Sequence, residues 1–206
     1  MGALGCDDLQ VDGRLGRGEF NYLCGEPGDA TCDGTDVFSS FDLDGDREIR
    51  TLVVGGTFGL EYDDDAAVRV VPLGRDALAF DNGTLSFLSA TTVEFMALNG
   101  ENEVLDFVDL SARDMDGVTV YYDGRAVTDV NLEANRDHTL AAAPTAGGDI
   151  LGGGLDYQWV LSGSGIRSNS LGSSNFVTLR VDFGATGELT AIANGFTTTV
   201  RISTSL

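Results

Sequence analysis

At 206 residues the chain is long enough for one large domain or two small ones. Its 42% apolar content is that of a globular protein, and 28 glycines suit a turn-rich all-β chain. A net charge of −21, with every basic residue an arginine, excludes the clustered cations that nucleic-acid binding needs. No apolar run approaches the roughly 18–20 residues of a spanning helix. The charge is uneven: residues 33–116 hold 19 acids against five Arg, and 117–206 hold eight against five.

In chain order, residues 1–32 form an N-terminal segment with three cysteines, so any pairing leaves one over. Cys24 and Cys32 lie close together in FNYLCGEPGDATC, a loop that is easy to close. A bridge there is worth about 2.5 kcal/mol of loop entropy and implies an oxidising compartment. Two free thiols or half of a metal site are the alternatives. One His and no second Cys pair argue against zinc. Cys6 follows Gly5 in MGALGCDD, which resembles the end of a bacterial lipoprotein signal, where a small residue precedes the lipidated cysteine. Ala3 and Leu4 stand in the reverse of the usual order. The resemblance implies lipidation at Cys6, and a diacyl or triacyl chain would hold the protein on a membrane without a spanning helix. An unpaired thiol in a tail is the alternative.

Within 33–115, Asp42, Asp44, Asp46 and Glu48 place four carboxylates around Gly45. Loops of this composition supply oxygen ligands to calcium, although Arg47 and Thr51 stand where an EF-hand needs an apolar residue and a Glu. A solvated acidic loop is the alternative. Strand signals then recur at Thr57–Tyr62, Ala67–Pro72, Ala77–Phe80, Thr84–Leu88, Thr92–Leu98 and Val104–Leu110. Regular spacing without helical periodicity predicts a β-sandwich. At Asn99–Asn102 a three-residue loop sets Val93 and Phe95 against Leu105 and Phe107, whereas a four-residue loop faces Phe95 with Asp106. Burial favours the first.

A second unit is expected over 116–206. Strands are predicted at Val118–Tyr122, His138–Ala143 and Leu155–Leu161, with Gly147–Gly154 as a glycine-rich loop and Val177, Leu179 and Val181 marking a further strand. Leu155, Tyr157, Trp159 and Leu161 share a face, which makes Trp159 a core residue rather than a sugar platform. Asn194-Gly195 is a type I′ turn dipeptide. A two-residue loop there faces Ala193 with Phe196, Ala191 with Thr198, and Leu189 with Val200. Leu189, Ala191, Ala193, Phe196, Val200 and Ile202 then fall on one side.

LDYQWVL, SSNFVTLRV and GATGELTAIANGFTTTVRI make this unit similar to the bacterial Ig-like domains of invasin- and intimin-type surface proteins. GGTFGLEY and ALAFDNGTLSFLSATTVEFMALNG carry a weaker likeness in the first unit. The resemblance implies two tandem Ig-like antiparallel β-sandwiches, 33–115 and 116–206, behind the disulfide-bearing segment 1–32. It also implies display outside the cytoplasm and brings no catalytic residues. His138 is the single histidine and no nucleophile motif accompanies it, so no enzyme is expected. The expected function is a structural or adhesive module of an exported envelope lipoprotein, with a protein or glycan partner and no cofactor. A calcium-dependent binding module is the alternative.

Overall fold

Apolar and polar side chains alternate through most of this chain, and strands follow wherever they do. A computed structural model describes residues 9–23, 28–30, 32, 51–63, 67–81, 83–168 and 172–205. Those residues form strands and a single 3₁₀ turn at Arg75–Ala77. Two units are distinguished: residues 1–26, 43–114 and 151–154, and residues 27–42, 115–150 and 155–206.

The first unit contains β1 (Leu9–Asp12), β2 (Glu19–Leu23), β3 (Leu52–Val53), β4 (Thr57–Asp63), β5 (Ala67–Leu73), β6 (Leu78–Asp81), β7 (Thr84–Phe87), β8 (Thr92–Asn99) and β9 (Val104–Arg113). They form a five-stranded sheet, β1-β2-β4-β7-β6, and a four-stranded sheet, β3-β9-β8-β5. The strand signals between 57 and 110 all become strands. The hairpin β1–β2, which lies inside the segment set apart as 1–32 on sequence, belongs to the five-stranded sheet. Phe20 and Tyr22 of β2 are fully buried there. Phe58 ties the two sheets face to face: it stacks on Tyr22 at 6.1 Å and Phe87 at 5.7 Å, and meets Phe95 edge-on at 6.3 Å. Residues 151–154 close the unit's edge, where Thr57 and Gly154 exchange both backbone hydrogen bonds at 2.9 and 2.7 Å.

The second unit contains β10 (Gly117–Tyr122), β11 (Arg125–Ala126), β12 (Asp129–Glu133), β13 (Asp137–Ala146), β14 (Asp149–Ile150), β15 (Tyr157–Ser168), β16 (Phe176–Ala193) and β17 (Phe196–Ser205). Its organising element is β16, eighteen residues long. The first part of β16, Phe176–Arg180, pairs with β13, and Thr186–Ala193 pairs with β17. One strand thereby serves two groups of strands: β11-β10-β13 on one side of the switch and β17-β12 on the other. β15 follows β16 through the switch with a bulge between Ser164 and Ile166. The bend requires close backbone approach, and Gly163 directly faces Gly187 there. A Cβ on Gly163 would lie 2.3 Å from the Thr186 carbonyl, and one on Gly187 2.2 Å from that of Ser162.

The closing hairpin has the register read from its sequence: Leu189 opposite Val200, Ala191 opposite Thr198, Ala193 opposite Phe196. Leu189, Ala191, Ala193, Val200 and Ile202 are buried, while Phe196 is only half-buried at the turn. Asn194 and Gly195 have φ of 48° and 82°, as a type I′ turn demands. Nothing lies within 4 Å of a Cβ built on Gly195, so a substitution there meets backbone strain alone. Gly195→Val is expected to destabilise by about 1–3 kcal/mol, measured by denaturant unfolding. An unchanged midpoint would show that the left-handed turn is not needed.

Two features depart from the sequence reading. The β8–β9 hairpin adopts neither loop considered: Phe95 pairs with Val108 and Val93 with Leu110, with Ala97 opposite Asp106. Asn99 closes a longer loop, its Oδ1 accepting from the N–H of Glu101 and of Glu103, both at 2.9 Å. The burial argument failed because it put Asp106 outside, whereas Asp106 is fully buried. The second departure is β13, buried on both faces from Leu140 to Ala146. Its outward-facing Ala141 and Ala143 lie with Tyr121 beneath Ala30, so residue 30 covers a sheet face that the alternation leaves open.

Candidate functional site

Four groups in this chain have the chemistry of a site: a buried carboxylate, the histidine, the tryptophan strand, and the acid- and cysteine-bearing segments. Asp106 is the most elaborate. Its Oδ1 accepts from the N–H of Leu15 at 2.7 Å and from its neighbour Phe107 at 2.9 Å; Oδ2 accepts from the N–H of Arg17 at 3.0 Å and the Tyr62 hydroxyl at 3.3 Å. Burial, the largest influence, pushes this carboxyl up, but the four hydrogen bonds outweigh it and hold it below the usual carboxylate range. Gly13 leaves the room that Asp106 needs, since a Cβ there would sit 2.2 Å from the carboxyl carbon. Arg14 of the same turn donates from its backbone to the Phe107 carbonyl at 3.0 Å and pairs with Asp109 and, at 3.4 Å, with Glu94. Every oxygen of Asp106 is engaged in anchoring the β1–β2 turn to β9. This is a structural carboxylate.

His138 is equally committed. Nε2 lies 2.8 Å from the Glu133 carbonyl, which only accepts, so Nε2 carries the proton. Nδ1 then accepts from the Tyr122 hydroxyl at 2.9 Å. Burial first, and the charges of Asp123 and Glu133 after it, push the Tyr122 phenol above its usual range. Both ring nitrogens therefore connect β13 to β10 and to the end of β12.

Trp159 is 4% exposed, a core residue as its strand pattern implies, and its Nε1 donates to the Ser174 carbonyl at 2.8 Å. Tyr157, two residues earlier, is also buried, and its hydroxyl has no hydrogen-bond partner among the described residues. Burial, with the Asp29 charge second, pushes that phenol far above its usual range. Gly28 approaches so closely that a Cβ on it would lie 2.0 Å from the Leu155 carbonyl. Buried Gly28, Asp29 and Ala30 thus belong to the body of the second unit. Sequence reasoning missed this cover; its only signal was the run of alanines in β13, small on both faces.

Of the residues singled out on sequence, Cys6, Cys24, Asp42, Asp44, Asp46 and Glu48 lie outside the described residues. Cys32 is described and half-buried, its N–H donating to the Asp29 carbonyl at 3.2 Å. Among the described residues no three His, Cys, Asp or Glu side chains gather closely enough to hold a metal ion. No helix among them is long and apolar enough to cross a membrane.

No family model and no curated protein matches the chain. Solved structures do. The S-layer protein rSbsC(31-844) is 13% identical, with a TM-score of 0.35 over 77% of this chain and 26% of that one. FdeC, an Escherichia coli adhesin, is 18% identical, with a TM-score of 0.31 over 76% of this chain and 62% of that one. The D00-D0 domain of intimin is 12% identical, with a TM-score of 0.30 over 76% of this chain and 93% of that one. The chain spans about a quarter of the S-layer fragment's length. Likeness at this level assigns no activity, and the all-β architecture rests on the strands themselves.

Proposed function

We propose that this chain is a non-enzymatic structural or adhesive module of an exported envelope protein. The observation that carries the reading is that Asp106, His138 and Trp159, the side chains with most chemical potential, are each held in hydrogen bonds that build the sheets. The sequence likeness of 116–206 to surface Ig-like domains supports it, as do the lipoprotein-like setting of Cys6 and the closely spaced Cys24 and Cys32. In this reading Cys6 carries the lipid anchor, Cys24 and Cys32 form a disulfide, and the partner is a protein or glycan at the cell surface.

A second reading is a binding module for such a partner with calcium at Asp42, Asp44, Asp46 and Glu48, motivated by the density of carboxylates around Gly45. Growth of a bacterial host with labelled fatty acid, using the full precursor, tests the anchored reading. The wild type is expected to take up label and Cys6→Ser to lose it, with the wild type also cleaved by protease added to whole cells. Equal labelling of the two proteins, or protection of both from protease, would count against envelope display.

A further inference from the structure

We propose that the second unit carries tension along the chain, with β12 and β17 as its clamp. The use of such a clamp rests on the structural role proposed above; its geometry does not.

The described strand pairs of this unit are antiparallel except one. β12 and β17 run parallel, from Asp129 opposite Arg201 to Glu133 opposite Ser205. Tension in the chain enters β12 at its start, Asp129, and leaves β17 at its end, Ser205. Those points lie at opposite ends of the pair, about 13 Å apart along the strands and only about 5 Å across them. The pull is therefore directed along the strands, and β17 can leave only by sliding past β12. All five register pairs resist at once, and none can open before its neighbours. Two strands drawn apart from the same end would open pair by pair instead.

The load runs the same way through the rest of the unit. β10 lies on β13 from Gly117 opposite Thr145 to Tyr121 opposite Ala141. The other end of β13 sits beside the end of β12, because His138 Nε2 is 2.8 Å from the Glu133 carbonyl. Tension entering at Gly117 thus draws β10 lengthwise along β13, away from the Ser205 end. Hydrogen bonds beyond the ladder brace the clamp. The Arg201 N–H donates to the Thr128 carbonyl at 3.0 Å, and Ser203 Oγ to the Val130 carbonyl at 3.4 Å. Val130, Leu132 and Ile202 are buried, which closes their side of the clamp to water that would compete for stretched hydrogen bonds. The Asp129–Arg201 ion pair, at 3.4 Å, is exposed and adds little.

Single-molecule pulling of the intact chain tests the proposal, since the direction of load can be changed while the clamp itself is left alone. One protein carries azide-bearing residues, to which handles are joined, in place of exposed Asp114 and after Leu206. Force between them loads the clamp lengthwise. A second protein carries them in place of exposed Arg136 and after Leu206. Residue 136 lies just past Glu133, so that force acts across the strands and strains the Glu133–Ser205 pair first. Urea unfolding confirms that the two proteins are equally stable. At one loading rate, the first is expected to unfold at a severalfold higher force, because forced unfolding follows the barrier and not the equilibrium. Equal forces, or a higher force for the second protein, overturn the proposal. A chain that shows the difference in force but fails the labelling and protease tests keeps its clamp and loses only the envelope role.

Discussion

Trp159→Ala is expected to lower the stability of the second unit by about 3–5 kcal/mol, at the upper end for a buried side chain. The ring is almost fully enclosed, and the residues opposite it on β16 are small: Trp159 faces Ala191, and Tyr157 faces Ala193. Alanines cannot lean into the space that an indole leaves, so the cavity would stay open. The Ser174 carbonyl would lose its donor as well. Trp159→Phe separates the two losses, keeping most of the apolar volume while leaving that carbonyl without its partner at about 1–2 kcal/mol. Trp159 is the only tryptophan in the chain, so urea unfolding of the variants has to be followed by far-ultraviolet circular dichroism. A loss below about 1 kcal/mol for the alanine variant would contradict the enclosed position of the ring.

The closing hairpin was legible to the residue because two independent signals agreed. Asn194-Gly195 set the turn, and the alternation around it set the faces. At Asn99–Asn102 the turn signal was weak, and register had to be argued from burial alone. That argument treats every carboxylate as solvent-facing, which is right on average and wrong for Asp106. The donors that reverse it come from Leu15, Arg17 and Tyr62, and the nearest of them in sequence is 44 residues away. No local pattern reveals such a set.

The same limit hid the role of residues 28–30. Strand alternation points Tyr121 and Tyr122 to opposite faces, and the face that is covered depends on Ala30, more than 90 residues earlier. The place of β15 at the end of its sheet was also beyond the sequence, since strand order is a property of the assembled sheet.

Asp106→Asn is expected to destabilise the first unit by about 3 kcal/mol at neutral pH, and the loss is expected to vanish in acid. The carboxylate receives Leu15 N–H on one oxygen and Arg17 N–H on the other. An amide offers one oxygen, so its NH₂ must confront one of those donors. The charge that strengthens the remaining hydrogen bonds is also gone. The pH dependence follows from the direction of the shift. The folded carboxyl titrates below its unfolded value, which lies near 3.9. Its contribution is therefore complete above that unfolded value and is lost as pH falls through the lower, folded one. Asparagine does not titrate, so the gap between wild type and variant should be constant from neutrality down to about pH 5 and then close. Gly13→Ala is expected to reproduce the neutral-pH defect with Asp106 still present, because its Cβ would displace the carboxylate from its hydrogen bonds. Urea unfolding of the three proteins between neutral and acid pH measures this. A gap between wild type and Asp106→Asn that persists unchanged into acid would mean that the ionised carboxylate is not what holds the β1–β2 turn.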